Sequence, residues 1–100
     1  MSAQDSLNQQ QFLDLYHHTS PEAAQAIYAT GRMKNIHNDS RQAAFFTTDP
    51  GSEYASAFGS GVVHARVPDH IAELDDEFPS GEQHYAVPLN KLRPEHLVRD

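Results

Sequence analysis

The chain has 100 residues, room for one domain and one core. Its 38 % apolar fraction includes 12 alanines and no cysteine, so the core is thin and disulfides, thiolate nucleophiles and Cys-based zinc sites are excluded. Seven Lys and Arg stand against fourteen Asp and Glu, a net charge of −7, which argues against a broad nucleic-acid surface but allows one small basic pocket.

Residues Met1–Gln11 are polar and glutamine-rich and read as an arm preceding a single domain over 12–100. The arm has no basic start and no greasy stretch, so no signal peptide is expected, and no apolar run is long enough for a membrane span. Phe12–His17 reads as a short strand. A helix follows over Pro21–Thr30: Ser20 suits the cap, Pro21 the first position, Glu22 the positive dipole end and Gly31 the C′ site. Arg32–Gln42 is polar and reads as a loop. Ala43–Thr47 looks like a buried strand. Asp49, Pro50 and Gly59 repeat the cap, start and stop signals and predict a second short helix carrying Tyr54, Ala55 and Phe58 on one face. Val62–Val67 is a β-branched strand closed by Pro68. Asp69–Gly81 reads as an acidic, irregular segment, with no Lys or Arg between Asp69 and Glu82. His84–Val87 is a further strand, and His96–Val98 a last strand or turn. Short strands with two helices predict a small α+β domain.

Familiar phosphate-loop and dinucleotide signatures are absent. Gly59-Ser60-Gly61 is too short for a nucleophile elbow. The seven histidines lack helical i, i+4 spacing, and His17 and His18 face opposite sides of a strand, so no metal site is expected. What remains is an ordered set: a histidine ending the first strand, an aromatic pair in the second, Tyr54 after it, and an acidic run. Taken singly, each has an ordinary structural reading: a strand-end histidine, a core pair, a solvated face.

Taken in order, the set resembles the ADP-ribosyltransferase fold, in its His-Tyr-Asp (HYD-type) clade. Leu15-Tyr16-His17-His18-Thr19-Ser20 is similar to that clade's Leu-Tyr-His-Gly-Thr strand. Ala44-Phe45-Phe46-Thr47 is similar to its Val-Tyr-Phe-Ser/Thr strand. Glu73-Leu74-Asp75-Asp76-Glu77-Phe78-Pro79 resembles the aspartate variant found in rifampin ADP-ribosyltransferases and small bacterial polymorphic-toxin domains. The resemblance spans Leu15 to about Val98. It implies short strands in a split antiparallel sheet with two short helices. It also implies NAD+ as co-substrate, without a metal, and transfer of ADP-ribose with release of nicotinamide. His17 then binds a ribose, and Asp75 or Asp76 is the catalytic acid. Glu82 stands in reserve, because the glutamate variant places its acid before the last long strand. His18, Thr19, Phe45, Phe46, Tyr54 and Arg32 are the remaining cofactor-binding candidates, with Tyr54 and Phe45 or Phe46 sandwiching nicotinamide and Arg32 and Arg41 toward the phosphates. Two positions depart from the clade: His18 replaces a glycine, and Phe45 stands where a tyrosine is expected.

The chemistry is coherent in itself. A carboxylate stabilises the oxocarbenium-like state formed when the nicotinamide–ribose bond breaks. An imidazole holds a ribose hydroxyl, and aromatic faces grip a flat cationic ring. The expected activity is that of a mono-ADP-ribosyltransferase of the bacterial toxin or effector type. An NAD+ glycohydrolase and a catalytically silent binding module are the alternatives. The acceptor, whether protein, RNA or small molecule, is left open. A toxin would have an inhibitory immunity protein as partner. Its place of action is expected to be the cytoplasm, its own or that of a target cell.

Overall fold

The computed structural model describes residues 11–33 and 42–99. It contains strands β1 (Phe12–Thr19), β2 (Ala43–Thr47), β3 (Gly61–Pro68), β4 (Glu73–Glu77) and β5 (Gln83–Pro88), with one helix, α1 (Pro21–Thr30). The strands form one antiparallel sheet in the order β3-β1-β2-β5-β4. The chain is therefore a small α+β fold. None of its helices is long and apolar enough to cross a membrane, among the described residues.

Helix α1 begins and ends where its local chemistry directs. The Ser20 side chain accepts the Ala23 N–H at 3.1 Å, Pro21 occupies the first turn, and Gly31 closes the helix at φ 72° with its N–H on the Ile27 carbonyl. Such a cap contributes about 1 kcal/mol. Ala24 and Ile27 bury the inner stripe of α1 against the sheet.

Strand alternation divides the sheet into two faces. Leu15, Val63, Ala65, Val67, Ala44, Phe46 and Val87 lie on the helix face and form the core, with Leu15, Val63, Val67 and Val87 at 0 % exposure. The second face carries Tyr16, His18, Ala43, Phe45, Thr47, His84 and Ala86. Registers align one row of it across all five strands: Asp76, His84, Thr47, Tyr16 and His64. The outer edge of β3 is met by the Tyr28 hydroxyl, which accepts the His64 N–H, and by Val98, whose N–H donates to the His64 carbonyl.

Two expected elements differ. Residues 50–58 do not form a second helix. They make turns followed by a single 3-10 turn at Ser56–Phe58. Asp49 Oδ1 accepts the Gly51 N–H, the Asp49 carbonyl accepts the Ser52 N–H, and Ser52 Oγ accepts the Ala55 N–H. Short polar side chains thus take the bonds that a helix would need, and Gly51 weakens the helical alternative. Within the segment read as irregular, Glu73–Glu77 is a strand. No residue of β4 is buried, so it has no alternation to betray it. Pairing with β5 creates it, through a bulge between Leu74 and Asp76. A 3-10 turn, Asp69–Ile71, precedes it.

Most of the polar arm and of the 32–42 loop, including Arg41, lies outside the described residues. Gln11, placed in the arm, already belongs to the fold: its carbonyl accepts the Asp69 N–H at 3.0 Å.

Candidate functional site

The most concentrated polar chemistry surrounds Glu82, the last residue of the tight turn between β4 and β5. Its backbone carbonyl accepts the Phe78 N–H, and the residue is 7 % exposed. Residues 82 and 84 share a strand face, so both reach toward Thr47 on neighbouring β2. Glu82 Oε2 accepts three hydrogen bonds: from Thr47 Oγ1 at 2.5 Å, Ser52 Oγ at 2.5 Å and His84 Nε2 at 2.7 Å. Because an ionised carboxylate only accepts, the His84 proton sits on Nε2. Ser52 is 1 % exposed and is aimed inward by the turns after Asp49. The other carboxylate oxygen, Oε1, takes none of these bonds.

Burial alone raises the pKa of Glu82. The hydrogen bonds from Ser52, Thr47 and His84, with the charge of His84, outweigh it and hold the carboxyl below its ordinary range. Glu82 therefore adds stability that is complete above its unfolded value of about 4.3 and is lost as pH falls through the lower folded value. Urea melts between about pH 3 and 7 should show this acid loss in the wild type, with a shallower slope in Glu82→Gln. Equal slopes would mean that the carboxylate is not held as described.

Beside the carboxylate stands an aromatic pair. Tyr54, 52 % exposed, stacks on Phe78 with ring centroids 4.1 Å apart and planes at 19°. Phe78 meets His84 edge-on at 4.6 Å. Of the rings expected around nicotinamide, Tyr54 stands on the Glu82 side of the sheet and stacks on Phe78. Phe46 is 3 % exposed on the helix face, and Phe45 is half-buried.

The β1 residues fall on both faces. His17 lies on the helix face, its ring 5.8 Å from that of Phe46, and its Nδ1 is 2.8 Å from the Phe45 carbonyl. A carbonyl only accepts, so Nδ1 carries a proton and donates it. This bond lies beyond Tyr16–Thr47, the registered pair of β1 and β2, so His17 stands in the seam between the two strands. His18 faces the Glu82 side, with Nε2 3.4 Å from the Asp49 carbonyl. Thr19 is buried at the end of β1. Arg32 is exposed just past α1.

Asp75 and Asp76 are exposed on edge strand β4. Strand order alone puts them three spacings from β1, about 14 Å. Asp76 pairs with His84 and shares its face, whereas His17 lies on the other. The imidazole of His17 and the two aspartates therefore do not come together. The structure instead gathers Glu82, His84, Thr47, Ser52, Tyr54 and Phe78. Of these, only Tyr54 and the reserve acid Glu82 are site candidates from sequence. The one local signal for the rest is Glu82-Gln83-His84 directly after Pro79-Ser80-Gly81: an acid and an imidazole two apart on a strand that leaves a turn.

Among the described residues, no three His, Asp or Glu side chains are grouped to hold a metal ion. A cleft of about 370 Å³ lined by Tyr28, Val62, Val98 and Arg99 lies at the β3 edge, away from Glu82, and takes in none of the candidates. Comparisons of the chain with protein-family models, curated proteins and solved structures gave no match.

Proposed function

We propose that this chain is an NAD+-dependent mono-ADP-ribosyltransferase with Glu82 as its acid. The observation carrying the reading is a buried, ionised carboxylate, fixed by three donors, one ring away from the stacked pair of half-buried Phe78 and exposed Tyr54. In the reaction, the bond between nicotinamide N1 and ribose C1′ breaks and its electron pair leaves with nicotinamide. An acceptor nucleophile then bonds to C1′ and releases its proton. Positive charge develops on the ribose as the bond breaks, and a preorganised carboxylate in a water-poor setting is the group that stabilises it. Thr47, Ser52 and His84 hold Glu82 still, so no reorganisation is needed at that moment.

Tyr54 offers its face to the nicotinamide ring. His18 is the β1 histidine on the face of Glu82, and His17, the ribose ligand that the resemblance implies, stands on the other face at the seam of β1 and β2. His18 and Thr19 continue the same strand end, and Arg32 stands beyond α1 for the phosphates. Asp76, across from His84 in the same row, is the alternative acid, with Asp75 at the bulge beside it.

Incubation with NAD+ labelled in the adenine half, with cell extract present, should release nicotinamide and leave label on a macromolecule or small acceptor. Free ADP-ribose as the sole labelled product would make the enzyme a glycohydrolase. The second reading, a silent binding module, is favoured by one observation: Phe78 already fills a face of Tyr54. NAD+ that raises the melting temperature without being consumed would decide for it.

A further inference from the structure

We infer that Phe78 is a gate on the ring slot beside Glu82: its phenyl ring occupies the face of Tyr54 on which an incoming planar cationic ring stacks, and that ring enters only when Phe78 swings away. The identity of the incoming ring as nicotinamide rests on the function proposed above. The gate itself rests on three ring positions. Phe78 and Tyr54 lie face to face at 4.1 Å, Phe78 is 4.6 Å from His84, and Tyr54 is 6.4 Å from His84. Phe78 is thus the nearer ring to the imidazole that donates to Glu82. A ligand stacked on the opposite face of Tyr54 would lie a full ring further from the carboxylate. The slot adjoining the acid is the one Phe78 fills.

The surrounding backbone lets the side chain move alone. Phe78 donates its N–H to the Glu82 carbonyl and accepts the Gly81 N–H, each at 2.9 Å, so one turn holds both gate and acid in place. Rotation about χ1 of Phe78 clears the slot without disturbing those bonds. Tyr54 is more than half exposed, so the slot opens toward solvent. The Tyr54–Phe78 stack must be given up before a ligand ring takes its place, so the ligand's apparent affinity is reduced by the fraction of molecules with the gate shut.

The test uses Phe78→Ala and Phe78→Leu, the latter keeping apolar bulk against His84 while removing the flat ring. Calorimetry with N-methylnicotinamide methylated on the ring nitrogen, a planar cation, measures the slot without turnover. Nicotinamide release measures KM and kcat for NAD+. Removing the stack should tighten N-methylnicotinamide and lower KM by about 3- to 10-fold, the equilibrium equivalent of one aromatic pair. The change should fall on KM rather than kcat. In a Tyr54→Ala background the same substitutions should have no effect, because the contested face is gone. A merely structural role for Phe78 would not depend on Tyr54. Unchanged or weakened binding in both variants overturns the gate. Tighter N-methylnicotinamide binding without any NAD+ cleavage keeps the gate and removes the proposed activity. Cleavage with the same KM in wild type and both variants keeps the activity and removes the gate.

Discussion

Glu82→Gln should reduce nicotinamide release by about 10²–10³-fold, the scale for losing one preorganised electrostatic group. Glutamine has nearly the shape of glutamate, and its amide oxygen can still accept from Thr47, Ser52 and His84, which bond a single oxygen of the native carboxylate. The variant should therefore fold while losing the negative charge, and a thermal melt beside the assay separates the two effects. Asp75→Asn and Asp76→Asn should stay near wild type. Both side chains are exposed on an edge strand, where water screens any charge they offer to a distant ribose. Loss in Asp76→Asn with full activity in Glu82→Gln would move the acid to β4. Full activity in all three would show that none of these carboxylates takes part.

The largest loss of stability is expected from Gly59→Ala. Gly59 has φ 136° and ψ 172°, a conformation essentially limited to glycine, and a Cβ there would collide with the carbonyl of Thr19 and lie 2.8 Å from the Ser20 nitrogen. Backbone strain and overpacking together cost about 3 kcal/mol or more. A fold of this size has only about 5–10 kcal/mol in all, so the melting temperature should drop by about 12–24 °C. The contact also matters to the site. It seats the segment bearing Ser52 and Tyr54 against the corner between β1 and α1, so the variant should lose activity at temperatures where it is still folded. Ser60→Ala, an exposed neighbour, serves as control and should melt like wild type. If Gly59→Ala melts with it, the segment is not seated at that corner.

The sheet shows how far local signals reach. Ser20, Pro21 and Gly31 place α1 correctly because caps act within a few residues of themselves. The β-branched run of β3 and the apolar run of β2 read correctly because burial on the sheet leaves its mark on composition. Asp49, Pro50 and Gly59 carry the same punctuation as α1 and mislead, since Asp49 and Ser52 spend their side chains on turns and on Glu82. The carboxylates of β4 have no period at all. That strand exists only because β5 lies beside it.

The same division runs through the candidate site. Sequence by itself determined which chemistry the chain carries: many histidines, few cations, aromatic rings and an excess of carboxylates, on α1 and several short strands, together with a second helix that does not form. It also put Tyr54 and Glu82 among the candidates. Tertiary structure decided which carboxylate is buried, which ring faces Tyr54 and which β1 histidine shares the face of the acid. Burial and cross-strand register depend on partners dozens of residues away: Thr47 and Ser52 reach Glu82 across 35 and 30 residues. No local pattern records a desolvation that arises only when the strands have paired.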